Sequence, residues 1–279
     1  MSVRIITDST VDLIPEVKAR VKTVPLSVRF GEQEFLDGVT ITAEKFYEML
    51  VRSEELPTTS QPTPAAFEDV FREAVEAGDE VVCITIASKL SGTYQSATIA
   101  AEEFPGKVFV VDSRTAAIGS GVLAEYALQL ADQGMGGEQI LNELMEKRKQ
   151  VRLYFIVDTL EYLKKGGRLS STVALVGGLL NIKPVLAVDE TGEIKMVSTA
   201  RGMKKAYITL TQESSKNGGV DYTKPILLAY TGESDEHLRK YMEENTEMWS
   251  PETKSTIVGA AIGTHAGPGA VAVAFFSVE

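Results

Sequence analysis

The chain has 279 residues, 44% of them hydrophobic and 24% charged, a balance that belongs to a folded globular protein and excludes a disordered one. Its formal net charge of -11 excludes the basic surface that duplex nucleic acid requires, and it disfavours adsorption to anionic membranes. No run of eighteen apolar residues is present to span a bilayer, and the opening MSVRIITDST has no signal-peptide pattern.

Cys83 is the single cysteine and sits in the apolar run VVCITIA. No disulfide can form within the chain, so a cytoplasmic protein is expected. The first half alternates β-rich and helical stretches. Residues 3–7 read as a buried strand, 13–20 as a helical segment and 21–30 as a second β-rich run. Thr42 is a good N-cap for a helix carrying Phe46, Met49 and Leu50 on one face. Thr63-Pro64 opens another, with Phe67, Val70, Phe71 and Ala74 at helical spacing. Strands return at 80–87 and 107–111, and helices near 92–104, 115–133 and 137–149. This alternation implies a mainly parallel sheet with helices on both faces.

The pattern changes near residue 151. A strand at 151–157, a short helix and the stretch LSSTVALVGGLLNIKPVLAV come first. A hairpin turning at 189–192 and a helix from 201 follow. Strands near 225–230, 254–258 and 270–277 flank a helix near 233–244. The expected fold class is therefore α/β with two domains, 1–150 and 151–279. No Pro/Gly/Ser linker marks the boundary, and neither repeats nor low-complexity segments occur.

Polar residues gather after three strands: Asp8, Ser9 and Thr10; Ser91, Gly92 and Thr93; Asp112, Ser113 and Thr115. In an open α/β sheet such positions either cap helices or face a ligand, and both readings stay open here. The segment LPTTSQPTP (56–64) reads as a stiff, extended polar loop with more hydroxyls than a cap needs. His237 lies on a charged amphipathic helix and reads as a solvent residue. His265, in the glycine-rich IGTHAGPGA, either satisfies a turn or faces something the backbone approaches closely. Lys164, Lys165 and Arg168, then Arg201, Lys204 and Lys205, form basic clusters. They either answer helix dipoles or dock an anionic ligand or acidic partner.

Catalytic motifs are missing. Ser91 sits in KLSGT rather than a G-x-S-x-G elbow, and neither phosphate-binding glycine motif is present. Two histidines in unrelated contexts and one cysteine do not make a zinc site. A hydrolase or transferase using Ser91, His265 and either Asp8 or Asp112 remains the enzymatic alternative.

Taken in order, DST (8–10), TSQP (59–62), SGTY (91–94), VD (111–112), LEYLKKGGRLS (160–170), LLNIKP (179–184) and GTHAGPGA (263–270) resemble the DegV family of bacterial fatty-acid-binding proteins. The resemblance covers nearly the whole chain. It implies a Rossmann-like N-terminal domain, a C-terminal α/β domain and a fatty acid held between them. It implies that Thr59, Ser91 and His265 meet the carboxylate, with Ser60 and Gly92 as neighbours. Arg168 and Arg201 match positions near the head group or a partner surface. The implied protein has no catalytic residue, metal or cofactor of its own. It binds one long-chain fatty acid such as palmitate, stearate or oleate and carries it to a separate fatty acid kinase, which makes an acyl phosphate for phospholipid synthesis. A lipid-sensing regulatory module is a second alternative. A monomer without membrane insertion is expected, and the tail is expected against 173–180 (VALVGGLL), where Gly177→Trp would alter chain-length preference.

Overall fold

The computed structural model describes residues 2–169, 181–216 and 218–278. Strand β1 (Val3–Asp8) leads through the short helix α1 (Pro15–Lys18) to β2 (Lys22–Val24). The expected single run over 21–30 is broken at Pro25, which has no N–H to donate to a ladder. Beyond it, β3 (Ser27–Phe30) leaves the first sheet and pairs antiparallel with β4 (Gln33–Leu36). Helix α2 (Ala43–Arg52) follows, and Thr42 caps it by accepting from the Lys45 N–H.

Thr58–Ser60 is strand β5, not a loop. It takes the free edge of β3, with Thr59 opposite Val28. The pleat turns Thr59 inward and leaves Thr58 and Ser60 exposed. Helix α3 (Pro64–Glu76), capped by Thr63, then leads to β6 (Glu80–Thr85), α4 (Thr93–Ala101), β7 (Val108–Asp112), α5 (Ala117–Asp132) and α6 (Gly137–Lys147). The parallel sheet has the order β2-β1-β6-β7. Its strands alternate as buried parallel strands do: Ile6, Val81 and Cys83 face α3 and α4, while Ile5, Val82 and Ile84 face the other side.

The second half supplies β8 (Val151–Ile156), α7 (Glu161–Lys165), β9 (Ile182–Val188), β10 (Ile194–Arg201), α8 (Met203–Ser214), β11 (Leu227–Tyr230), α9 (Glu236–Glu243), β12 (Ser255–Ile257), α10 (Ala260–Ala266) and β13 (Val271–Phe276). They form a mixed six-stranded sheet of order β10-β9-β8-β13-β11-β12, antiparallel except where β11 meets β12. Tyr154, Ile156, Val273 and Phe275 pack with α8 and α9, around Tyr207, Tyr241 and Trp249. Leu153, Phe155, Ala272 and Ala274 face the opposite way and join the core of the first half.

Helix α5 is the shared element between the two sheets. Its sequence, AIGSGVLAEYALQLAD, is apolar nearly all round, and twelve of its sixteen residues are buried, as a helix covered on both sides must be. The layers therefore run α3 and α4, parallel sheet, α5, mixed sheet, α8 and α9.

Two smaller expectations change. His265 is not in a loop but in the last turn of α10. His237 is half-buried rather than solvated, with Nδ1 2.9 Å from the Tyr207 hydroxyl.

Candidate functional site

A narrow cavity of about 830 Å3, part of it open to solvent, lies where the two halves meet. Its lining is mostly apolar, with Thr10, Thr59, Ser91, Arg168, Thr231 and His265 as the polar residues. The seam between domains has thus collected four of the seven residues singled out from the sequence.

Glycines let the motif segments touch. A Cβ on Gly92 would overlap the amide of Gln61, which is held by a 3.1 Å bond from Nε2 to Ser96 Oγ. The TSQP segment therefore lies directly on the start of α4. Likewise, a Cβ on Gly166 would overlap His265 Nδ1, and one on Gly267 would overlap the Tyr162 ring. The segment around α7 thereby closes on α10.

The polar end of the cavity results from these contacts. Thr59 Oγ1 stands 3.0 Å from His265 Nε2. Ser91 Oγ pairs with Thr93 Oγ1 at 2.8 Å and accepts from the Thr93 N–H at 3.3 Å. Arg168 is fixed by backbone carbonyls, donating from Nε to Leu90 O at 3.2 Å and from Nη1 to Gly166 O at 2.6 Å. A half-buried guanidinium held this way keeps its charge beside the cavity without a carboxylate to neutralise it in these bonds. His265 Nδ1 is buried without a hydrogen-bond partner among the described residues. Burial, with the Arg168 charge adding to it, pushes the His265 pKa down to about 4. The imidazole is therefore neutral at pH 7. Two hydroxyls, a neutral imidazole and a guanidinium converge on a space that an anion's oxygens can fill.

The other candidates fall elsewhere. Ser60 is exposed on β5, and Gly92 is the N-cap of α4 beside Gln61; neither lines the cavity. Arg201 is exposed at the end of β10, also away from the lining. Lys164 and Lys165 sit in the last turn of α7, where the helix dipole favours them. Lys204 and Lys205 sit in the first turn of α8, the wrong end for that explanation.

Asp8 and Asp112 are structural. Asp8 accepts from Thr10 N at 2.8 Å, from the Thr10 hydroxyl and from Ile86 N at 2.9 Å. Burial nevertheless raises its pKa to about 6. Asp112 accepts from Ser88 N and Oγ at 3.1 and 2.6 Å and from Arg114 N at 3.0 Å. Both carboxylates tie strand-end loops together, and neither bonds to His265. Ser91 is held by Thr93, so no Ser-His-Asp relay is assembled from these residues. Among the described residues, no group of His, Cys, Asp and Glu side chains could hold a metal.

The sequence did not single out the apolar residues that line the described part of the cavity. Phe155 pairs with Ala272, and both line the cavity. One residue beyond the Tyr154–Ala187 pair, Leu153 lies level with Val188, which pairs with Ile194. Of the lining residues on this sheet, these three lie furthest along the strands from Ala270. From Ala270 to the level of Leu153 is four residues of strand, about 13 Å. Alternation within VRLYFI marks Leu153 and Phe155 as one face, but only the register shows that this face bounds a cavity. The stretch 173–180, expected to carry the tail, lies outside the described residues.

No described helix is long and apolar enough to cross a membrane. Comparison with known proteins places these features in a family. A DegV domain-containing protein of Deinococcus radiodurans is 39% identical over 98% of each chain. A solved DegV family protein of Thermus thermophilus, described as fatty acid binding, is 34% identical with TM-score 0.89 over the whole of both chains. The fatty acid kinase B3 protein of Streptococcus pneumoniae, solved loaded with linoleic acid, is 25% identical with TM-score 0.85, again over both whole chains. Residues 2–278 match the family described as "Uncharacterised protein, DegV family", and the chain belongs to it.

Proposed function

We propose that this protein binds one long-chain fatty acid in the cavity between its domains and delivers it, still bound, to a separate fatty acid kinase. The observation that carries this reading is the cavity's polarity. One end gathers Thr59, Ser91, Arg168 and His265, and the rest of the lining is apolar apart from Thr10 and Thr231. A carboxylate suits the first end and a hydrocarbon tail the second.

The energetics support such a ligand. Burying about fifteen methylenes at about 0.8 kcal/mol each gives a gross term near 12 kcal/mol, reduced by ordering and immobilisation. The carboxylate would be costly to bury alone. Hydroxyls, an imidazole and a guanidinium offset that cost. In this reading Thr59, Ser91 and His265 bond the carboxylate, and Arg168 supplies a compensating charge. Ser60 and Gly92 act indirectly, through the strand and helix start that place Thr59 and Ser91. Leu153, Val188 and Ile194 form the floor where the tail ends.

The carrier role rests on the similarity to the fatty acid kinase B3 protein and on Arg201, Lys204 and Lys205, exposed basic residues for which the helix dipole gives no reason. They suit an acidic surface on the kinase. We place the protein in the cytoplasm as a monomer, with units 1–150 and 151–279 that share α5. A fragment ending at 150 would expose the buried apolar face of α5 and should aggregate.

The test is native mass spectrometry of the purified protein, then denaturation and lipid identification. One adduct with the mass of palmitate, stearate or oleate is expected. A bare chain that stays bare after incubation with those acids would refute the proposal.

A further inference from the structure

We propose that Asp12 and Asp37 are positioning residues for the head-group site: reaching from the first domain, they anchor the N-terminus of α10 and so set where His265 stands at the other end of that helix. This rests on the reading of His265 as a carboxylate ligand.

The start of α10 has no side-chain cap of its own; its N-cap is Gly259. The orphan N–H groups that every helix start leaves are taken by the other domain instead. Asp12 Oδ1 accepts from Gly259 N at 2.7 Å. Asp37 accepts with both oxygens, from Ala260 N at 3.0 Å and from Ala261 N at 3.1 Å. The socket continues along the helix. Tyr47 donates to Val258 O at 3.0 Å, and a Cβ on Gly263 would come within 2.6 Å of the Tyr47 hydroxyl and 2.7 Å of Phe46. Every one of these contacts joins residues 12–47 to residues 258–263.

The arrangement is expensive. Both aspartates are buried, and Asp12 Oδ2 has no hydrogen-bond partner among the described residues. Burial first, and for Asp12 the neighbouring Asp37 charge as well, raises both carboxyl pKa values. Lys18 offsets part of this. A serine or threonine at 259 would cap the helix locally at less cost, but it would leave α10 free of the first domain. From Ala260 to His265 is about 7.5 Å of helix, short enough to move as a rigid piece. Unseating its N-terminus would therefore carry His265 away from Thr59 Oγ1, now 3.0 Å distant, and would let water reach the imidazole.

The chain has two histidines, so their ring signals can be told apart by NMR, with His237 as an internal control. The experiment follows the His265 pKa and the palmitate affinity of the full-length protein in Asp37→Ala, Asp37→Asn, Gly263→Ala and His265→Ala. Unseating predicts that the His265 pKa in Asp37→Ala rises from about 4 towards the ordinary histidine range, that palmitate binding weakens about tenfold, and that His237 does not change. Asp37→Asn, which keeps one acceptor oxygen, gives a smaller shift of the same sign and serves if the alanine variant does not fold. Gly263→Ala moves His265 the same way without altering any charge. Loss of a nearby negative charge alone would lower the His265 pKa, so a fall in Asp37→Ala, or no change in it and in Gly263→Ala, overturns the proposal. If His265→Ala itself leaves palmitate affinity intact, the underlying ligand assignment has failed instead.

Discussion

The two ends of the cavity are built in different ways. At the polar end, β5, the turn before α4, the turn after α7 and the last turn of α10 each contribute one side chain, and they meet because Gly92, Gly166 and Gly267 leave room. At the floor, Leu153, Val188 and Ile194 come from three adjacent strands of one sheet, and nothing about any one of them is chemically distinctive. The polar end depends on residue identity and the floor on register. Substitutions at the first should therefore change how tightly a fatty acid binds, and substitutions at the second which one binds.

The largest effect is expected at His265. Removing a hydrogen bond to a charged group costs about 1.5–3 kcal/mol, so His265→Ala should weaken palmitate binding about 10- to 100-fold. The chain-length profile should not change, as checked by displacement titrations with acids of different length. A changed profile with unchanged affinity would invert the assignment of the two ends.

The floor should answer in the opposite sense. Ile194→Trp shortens the cavity, and each methylene that no longer fits forfeits about 0.8 kcal/mol. Preference should move to shorter acids, with affinity for those nearly unchanged. Leu153→Ala should admit longer ones at a cost of about 2–5 kcal/mol in the stability of the empty protein. Lipid extracted from each purified variant reports the shift directly.

A difference in pH response also separates the polar end from its surroundings. The His265 pKa is lowered by burial to about 4, so the unfolded chain takes up this proton first and His265 removes stability as pH falls from about 6.5 to about 4. Asp8 is raised to about 6, so it does the reverse, adding stability as pH falls through about 6 towards its unfolded value. Denaturant midpoints at pH 7 and pH 4.5 should show His265→Ala gaining on the parent protein, by at most about 3 kcal/mol at 1.36 kcal/mol per pKa unit. An equal pH response in both proteins would mean that folding leaves the His265 pKa unshifted.

The smallest effect on lipid is expected at Arg201. Arg201→Glu should leave the bound fatty acid in place while slowing acyl-phosphate formation when a fatty acid kinase and ATP are added. Loss of lipid from this variant would draw Arg201 into the cavity instead.

Legibility in the sequence followed the same division. The parallel sheet, its flanking helices and the hairpin at 189–192 could be read because periodicity, proline-led caps and turn residues are local signals. Thr59, Ser91, Arg168 and His265 were singled out on short motifs, and the fold brings them to one cavity. Strand β5 was hidden because its pairing with β3 is a contact across some thirty residues, in a segment that reads as polar and proline-rich. The role of His265's surroundings was hidden for a related reason. Asp12 and Asp37 lie in VDL and LDG, where nothing local shows that they cap a helix more than 220 residues away. Tyr207 kept His237 from solvent in the same non-local way.

The most direct test of the central claim is a crystal structure of the protein loaded with palmitate. The carboxylate should lie within hydrogen-bond reach of Thr59 Oγ1, Ser91 Oγ and His265 Nε2, with the tail passing Phe155 to end against Leu153, Val188 and Ile194. A carboxylate at the Leu153 end, or a fatty acid bound anywhere outside this cavity, would contradict the account.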